Sequence, residues 1–104
     1  MRIELSGFQR KYLRGLAHTL KPIVIIGRMG LTSSVELALD DALNVHELVK
    51  VKFNDDKDKE FKRQTLQLLE KSTNACMVGM IGHIGIFYRP HPEAEKRAII
   101  LPRS

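Results

Sequence analysis

The stretch that decides the fold is KPIVIIGRMGLTSS, residues 21–34. Pro22 disfavours helical geometry in the residue before it, so any preceding helix has to end there. Ile23–Ile26 is an uninterrupted run of β-branched residues, which is typical of a strand covered on both faces. A glycine loop, Gly27–Gly30, separates this strand from the next polar and apolar pattern. The stretch therefore predicts a helix, a strand, a glycine loop and another helix in immediate succession.

The two flanking helices follow from caps and periodicity. Ser6 is the predicted N-cap of a helix over about 6–20, in which apolar residues fall in one arc. A second helix over about 33–45 is predicted to be capped by Thr32 or Ser33. The arcs predicted to face the core are Phe8, Tyr12, Leu13, Leu16 and Leu20 in the first helix, and Val35, Ala38, Leu39, Ala42 and Leu43 in the second.

A second strand and a third helix are predicted between residues 47 and 72. In residues 47–53 two sets of side chains alternate, as they do on a strand with two different faces. A charged turn then leads into a helix over about 58–72. The strand has Val49, Val51 and Phe53 on one face and Leu48, Lys50 and Lys52 on the other, and the helix is predicted to bury Phe61, Thr65, Leu68 and Leu69.

The last third of the chain predicts a β-hairpin and a tail. Residues 75–81 and 84–89 are the two strands, joined by a tight turn at Gly82-His83. After a polar loop, Ala98–Leu101 is predicted to form a short edge strand. The order α-β-α-β-α-β-β favours the α/β class, with a mixed sheet packed by helices.

Length and composition agree with a single domain over residues 1–104, with a core over about 3–90 and a tail over 91–104. With Cys76 as the one cysteine, no internal disulfide can form. No apolar run approaches the roughly 20 residues that span a bilayer, and the charged N-terminus is unlike a signal peptide. We therefore expect a cytoplasmic monomer that does not associate with membranes.

All of the net charge of +5 lies in the first thirty residues. They hold six basic residues and one acid, Glu4, whereas residues 31–104 hold eleven of each sign. A field concentrated at one end of a small domain indicates a polyanionic partner, most often a phosphate backbone. The basic residues are Arg2, Arg10, Lys11, Arg14, Lys21 and Arg28, and His18 extends the stripe that Arg10, Lys11 and Arg14 form opposite the apolar arc.

The glycine loop is the candidate anion site. Of three G-x-x-G matches, only Gly27–Gly30 lies between the end of a strand and the start of a helix. The opening amides of a helix lack internal partners and carry positive dipole charge, and Arg28 adds a guanidinium for bidentate phosphate contact. In the alternative interpretation Gly27 and Gly30 only permit positive φ in a tight connection. The basic stripe could likewise be an ordinary solvated helix face.

Five sequence blocks in order resemble the CRM domain, and most closely its stand-alone bacterial form, the YhbY family. The resemblance extends to Leu101-Pro102, although the family often has a small or polar residue where this chain has Met29. It implies a four-stranded mixed sheet similar to the C-terminal domain of translation initiation factor three. It also implies RNA binding through the glycine loop and association with precursors of the large ribosomal subunit. The blocks are LRGLAH (13–18), LKP (20–22), IGRMGLT (26–32), HELVKVK (46–52) and YRP (88–90).

We therefore predict a non-catalytic protein that binds ribosomal RNA and acts in assembly of the large ribosomal subunit. Lys50 and Lys52 either extend the binding surface or lie on an exposed rim of the sheet. Base stacking is expected to be minor, because the aromatic residues are predicted to face inward. The predicted RNA contacts are Gly27, Arg28, Met29, Gly30, Arg10, Lys11, Arg14, His18, Lys21, Lys50 and Lys52.

Two other functions stay open at this point. Leu37, an apolar residue on an acidic helix face, favours a protein-interaction module that docks on ribosomal proteins or another acidic partner. A small enzyme that uses the same loop to bind a phosphate ligand is a weaker alternative, since it lacks an acid–base pair. Nucleotide hydrolysis is not expected, because no lysine follows the glycine loop. No cofactor, catalytic set or metal site is predicted, because the four histidines and Cys76 offer no close ligand pair.

Overall fold

Four strands form one mixed sheet in the computed structural model, which describes residues 4–55 and 57–103. Arg2 and Ile3, which the sequence assigns to the basic end and the core boundary, lie outside the described residues. The sheet order is β1-β2-β4-β3, with β1 parallel to β2 and with β4 antiparallel to both β2 and β3. The strands are β1 (Val24–Ile26), β2 (Leu48–Phe53), β3 (Cys76–Ile81) and β4 (Ile84–Tyr88).

Three helices pack on this sheet, and the N-termini of the first two follow the predicted capping chemistry. The helices are α1 (Gly7–Ala17), α2 (Ser33–Val45) and α3 (Lys59–Thr73). Ser6 forms a complete capping box with Gln9. Thr32, the first of the two predicted alternatives, caps α2 by accepting from the Val35 N–H. The α/β class, the four-stranded mixed sheet and the element order are confirmed.

The main core lies between the sheet and the pair α2 and α3. On β2 it takes the predicted set of alternate residues, so the two-faced pattern of this strand is confirmed. Leu66, which sequence analysis did not assign to the core, is fully buried beside Gly85, where an added Cβ would lie 2.7 Å from a Leu66 methyl. The buried residues of this core are Val24, Ile26, Val35, Leu39, Leu43, Val49, Val51, Phe53, Leu66, Leu69, Ala75 and Phe87.

A second, smaller core lies on the opposite face of the sheet, under α1. Its buried members are Leu13 and Ala17 from α1, Leu48 from β2, Val78 from β3, and Ile86 and Tyr88 from β4. Parts of the chain termini, including Ile99 and Leu101, pack against it. The helix covers only part of this face.

The predicted core-facing arc of α1 is largely wrong. Phe8, Tyr12, Leu16 and Leu20 are each at least 39% exposed, whereas Leu13 and Ala17 are fully buried. The helix is turned by about a quarter turn from the predicted orientation, because the stems of Arg10 and Arg14 lie on the sheet. Long basic side chains cover apolar surface with their methylene groups, which a count of apolar residues does not register.

Three further predictions of burial fail for related reasons. Ile23 and Ile25 are about half exposed because β1 is an edge strand that α1 does not cover, so β1 is not buried on both faces. Phe61 and Leu68 of α3 are also exposed, since Lys62 and Leu66 take the inward positions. Ala38 of α2 is exposed as well.

The predicted edge strand at Ala98–Leu101 is wrong. The tail instead contains a short 3-10 helix at Ala94–Lys96 and then runs along the second core. The Glu47 carboxylate holds it by accepting from the N–H groups of His91, Ala98 and Ile99, each at 2.8 Å. These amides are satisfied by a side chain and so form no ladder with a neighbouring strand.

Candidate nucleic-acid interface

Three connections meet at one edge of the sheet, which we call the loop end. Because β1 and β2 are parallel and both β2 and β3 are antiparallel to β4, the C-termini of β1, β2 and β3 share this edge. The loop end consists of the glycine loop Gly27–Gly30, the turn that follows Phe53, and the hairpin turn Gly82-His83. The Asn54 N–H donates to the Ile26 carbonyl and the Phe53 N–H to the His83 carbonyl, each at 2.9 Å, which ties the three together.

The glycine loop is a tight turn with Arg28 and Met29 at its tip. It is closed by a 3.0 Å hydrogen bond from the Gly30 N–H to the Gly27 carbonyl. Gly30 has φ +71°, a backbone conformation that residues other than glycine adopt only with strain. The amide of Gly30 is therefore used within the turn, whereas those of Arg28 and Met29 donate to no acceptor among the described residues. Arg28 and Met29 are both exposed residues.

Gly30 also fixes where the loop sits. It is buried, and a Cβ built on it would lie 3.4 Å from the Phe61 ring of α3. The Lys57 ammonium lies 5.4 Å from the centre of the same Phe61 ring. The loop is thus seated on the first turn of α3, and Met29 at its tip remains 84% exposed.

Two helices point their N-termini at the loop end, because each follows a strand that ends there. The hydroxyl of Thr32 accepts from the Val35 N–H at 3.2 Å and its carbonyl from the Glu36 N–H at 3.0 Å. Asp58 caps α3 in the same way, accepting from the Phe61 N–H at 2.8 Å. Both helix dipoles add positive potential beside the exposed loop amides.

Lys62 and His83, which sequence analysis did not select, also lie at the loop end. Lys62 is 93% buried, and its ammonium donates to the Gly82 carbonyl and to His83 Nδ1, each at 3.2 Å. Since an ammonium has no lone pair, His83 Nδ1 must be the acceptor. The contact between Lys62 and the hairpin turn joins residues about 20 positions apart, so it could be predicted only once the packing of α3 on the hairpin was known.

The basic residues of α1 divide into two groups. Arg10 and Arg14 are half-buried, and their guanidinium groups donate to the Met77 and Val78 carbonyls at the irregularity in β3. Each guanidinium has five N–H donors, so most of them stay available to an outside acceptor. Lys11, His18 and Lys21 are exposed and point to solvent. The basic residues therefore do not form one uniform stripe. Arg10 and Arg14 are fixed by their hydrogen bonds to β3, and the other three side chains beside them are exposed.

The lysines of β2 lie on the α1 side of the sheet. Lys50 is half-buried, and its ammonium donates to the Leu20 carbonyl at 3.0 Å, so it closes the C-terminal end of the α1 connection. Lys52 is exposed nearer the loop end. Of the two, Lys52 is the residue whose ammonium faces solvent without an internal acceptor among the described residues.

On the face of the sheet that carries α1, the helix and the strands contribute no acidic side chain, and Glu47, at the end opposite the loop end, is bound to the amides of the tail. The sequences of α1 and of the four strands contain no aspartate or glutamate. On the opposite face, α2 carries Glu36, Asp40 and Asp41 and no basic residue. A phosphate that approaches α1 and the strands therefore meets only cations from these elements. The carboxylates nearby have partners, because Asp55 pairs with Lys57 and Asp58 caps α3.

A groove lies at the end of the sheet opposite the loop end. It has a volume of about 430 Å³ and is lined by Leu16, Leu20, Pro90 and Ile99 among other residues. Its two cations, Arg89 and Lys96, are paired with Asp40 and Glu93. The groove therefore offers little to a phosphate ligand, which the alternative of a phosphate-acting enzyme would need.

Two further features are absent from the described residues 4–55 and 57–103. No group of three or more histidine, cysteine, aspartate or glutamate side chains in them could hold a metal ion. No helix in the same ranges has the length and apolar character needed to cross a membrane.

Comparison with known proteins establishes the family. Residues 5–89 match the CRS1 / YhbY (CRM) domain, and this chain belongs to that family. An RNA-binding protein of Haemophilus influenzae is 44% identical over 100 residues, which cover 96% of this chain and 97% of that protein. The "Probable RNA-binding protein YqeI" of Bacillus subtilis is 30% identical over 98 residues, which cover 94% and 99%.

A solved structure supports the same assignment. The solution structure of a hypothetical protein from Staphylococcus aureus, described as a candidate RNA-binding protein, has a TM-score of 0.82 and 33% sequence identity. The match covers 95% of this chain and all of that one. The resemblance to the CRM domain found in the sequence is thereby confirmed, and these relatives are named for RNA binding.

Proposed function

We propose that the protein binds RNA without catalysing a reaction, that ribosomal RNA is its target, and that it acts in assembly of the large ribosomal subunit. The single observation that carries RNA binding is that α1 and the four strands hold basic residues and no acid beside the glycine loop, whose Arg28 and Met29 amides have no acceptor among the described residues. Membership of the CRM family and the names of the relatives support the same function. The ribosomal target rests on the resemblance to the stand-alone bacterial members.

The arrangement divides the work of binding between two kinds of group. The amides of Arg28 and Met29 and the start of α2 offer directional donors to one phosphate. Lys11, Lys21 and the Arg28 side chain supply charge along the neighbouring RNA. Arg10 and Arg14 add donors whose position is fixed by their bonds to β3. Affinity should therefore depend strongly on salt, because phosphate contacts release counterions.

Filter binding to a structured fragment of ribosomal RNA tests the proposal across a range of salt concentrations. The variant Lys21→Gln/Arg28→Gln removes two exposed cations and leaves the anchored arginines in place. We expect the slope of log K against log salt to become shallower by about 1.5, at about 0.7–0.9 per phosphate contact. The matched control Arg63→Gln/Lys71→Gln removes the same charge from exposed positions of α3, which packs on the opposite face of the sheet.

The two results separate specific contacts from net charge. An equal change of slope in both variants would mean that only total charge matters, and the proposed site would be wrong. The ribosomal part has its own test in sedimentation of a cell extract through a sucrose gradient. The protein should travel with precursors of the large subunit and not with mature subunits.

One observation favours a second candidate function, docking on a protein. Leu37 is 63% exposed on α2, beside Asp41 and on a helix without basic residues. Such a face suits a basic partner, as many RNA-associated proteins are, and not the acidic partner that the sequence suggested as a further option. Pull-down with and without ribonuclease distinguishes the functions, since a protein contact survives digestion.

A further inference from the structure

One row of side chains crosses the whole sheet near the loop end. Ile25 of β1 pairs with Lys52 of β2, Lys52 pairs with Ile84 of β4, and Ile84 pairs with Ile81 of β3. Directly paired residues point to the same face of a sheet, so the four side chains stand side by side. With strands about 4.8 Å apart, this isoleucine row is about 15 Å long.

The isoleucine row lies on the face that carries α1, and of its members only Ile84 packs against the core under that helix. Lys52 alternates with Val51 and Phe53, which belong to the main core, so the row faces the other way. On that face α1 covers Leu48 and Ile86, which lie nearer the opposite end of the sheet. Ile25 is consequently 46% exposed and Ile81 61% exposed, while Ile84 is partly buried.

Exposed isoleucines in line are unusual on a small domain. Each leaves apolar surface in contact with water, and contiguous exposed apolar surface commonly marks a binding site. Two of the three lie on edge strands, which soluble proteins usually protect with charged side chains. The row therefore needs an occupant that covers it.

The charges around the row indicate what that occupant is. Lys52 stands in the middle of the row, and the side chain of Arg14 lies over Gly79, one step further along the same face. The glycine loop begins two residues after Ile25, and none of the surrounding strands contributes a carboxylate. A second copy of this face would bring like charges together, and an apolar protein surface would bury Lys52 without a partner.

We propose that the isoleucine row is a platform for unpaired RNA bases, which lie on the aliphatic side chains while their phosphates contact Lys52, Arg14 and the glycine loop. The proposal rests on the RNA-binding function proposed above and adds the class of RNA. Bases in a duplex are stacked and paired, so their faces cannot reach the row. The preferred target is accordingly a single-stranded or looped segment that leaves bases free.

The test compares two RNA probes of equal length, a labelled unstructured oligonucleotide of about ten nucleotides and a duplex of the same size. The variant Ile25→Thr/Ile81→Thr keeps β-branched residues at exposed positions and removes most of the apolar surface. We expect affinity for the single strand to fall about tenfold with an unchanged salt slope, and duplex affinity to stay constant. Ile100→Thr, at an 83% exposed tail position, is the matched control and should have no effect.

A second variant moves affinity in the opposite direction. Ile81→Phe places an aromatic ring at the same edge, and stacking on it should strengthen single-strand binding by about fivefold. A third measurement uses the natural sequence, with photo-crosslinking of a thiouridine-containing oligonucleotide. Crosslinks are expected in the peptides that contain Ile25, Lys52 and Ile81.

The outcomes separate this inference from the function on which it rests. Equal binding of the single strand by the threonine variant and the unchanged protein overturns the base platform and leaves RNA binding intact. Binding of the duplex alone, or crosslinks confined to α1 and the glycine loop, would likewise overturn the base platform and leave RNA binding intact. If the unchanged protein binds neither probe, both proposals fail. Concentration-dependent dimers that the threonine variant abolishes would identify a second copy as the occupant instead.

Discussion

The helices α1 and α2 are similar in length and lie on opposite faces of one sheet, yet they carry opposite charge. The 11 residues of α1 include three basic residues and no acid, whereas the 13 residues of α2 include three acids and no base. Beneath α2 the sheet face is closed by the main core, and beneath α1 it is left partly open. The fold thus separates a face that is closed by the main core from the face that we propose binds RNA.

The largest expected effect comes from altering the charge of each helix face in turn. Lys11→Glu/Lys21→Glu should weaken RNA binding about a hundredfold, because each position loses a phosphate contact and gains repulsion. Leu37→Lys/Asp41→Lys adds cations to the α2 face and should change affinity by no more than about twofold, since that face is beyond a Debye length of about 8 Å from bound phosphate. Filter binding at fixed salt measures both. If the two variants changed RNA affinity by comparable factors in opposite directions, RNA binding would depend on total charge and the α1 face would have no special part in it.

The second prediction concerns what the acids of α2 do for stability. The Arg89 guanidinium donates to Asp40 Oδ1 and to the Thr73 carbonyl, each at 2.7 Å, and to Asn44 Oδ1 at 2.9 Å. It thus joins α2 to the end of α3. Arg89→Ala should lower the free energy of unfolding by about 2 kcal/mol, because several partly buried polar groups lose their partner.

Urea denaturation measures this change, with Arg63→Ala as the control. Arg63 forms only an exposed 3.6 Å pair with Glu60, and its loss should change the free energy of unfolding by less than about 0.5 kcal/mol. If the two variants were equally stable, Asp40 would have no structural function, and the acidic face would need another explanation.

The third prediction uses the two glycines of the loop. Gly30→Ala should lower the free energy of unfolding by about 1 kcal/mol, since φ +71° strains alanine and the new methyl meets Phe61. It should also weaken RNA binding, because the loop moves on its seat. Gly27→Ala is the control, as nothing lies within 4 Å of its added Cβ. Thermal melting and filter binding of both variants check the difference, and similar results for the two would argue against a fixed loop.

The smallest expected effect is a pH dependence within the core under α1. Burial raises the pKa of the Tyr88 phenol above its usual 10.0, and the nearby Glu47 carboxylate acts in the same direction. The neutral phenol therefore stabilises the fold below pH 10, and this contribution is lost as the pH rises through the higher pKa of the folded state. Urea midpoints between pH 8 and 11 should fall less for Tyr88→Phe than for the unchanged chain. Parallel curves would contradict the prediction.

The sequence predicts the fold well because its signals are local. Ser6, Asp58 and the glycine turn each act within a few residues, and the alternation in β2 needs only one strand. Element order then leaves few ways to arrange the sheet. The glycine loop, with its exposed tip between β1 and α2, is where the sequence predicts it.

What the sequence could not predict depends on partners that are distant in the chain. Arg10 looks like a solvated residue until the backbone of β3, some 67 residues away, is known to accept from it. The edge position of β1 and the isoleucine row likewise follow from strand order, which periodicity does not contain. The sequence of the tail predicts a strand, because the hydrogen bonds from its Ala98 and Ile99 amides to Glu47 join residues about 50 positions apart and leave no local pattern. The roles of the individual RNA contacts stay predictions.

The turn at Gly27–Gly30 divides its two tasks between neighbouring positions. Gly30 sets the backbone and is held against Phe61, whereas Met29 beside it is 84% exposed and touches little. Substitutions at position 29 are therefore nearly free of folding cost, and selection can vary that side chain while the amides stay in place. The side chain at position 29 can therefore differ between members of the family without a change in the backbone of the turn.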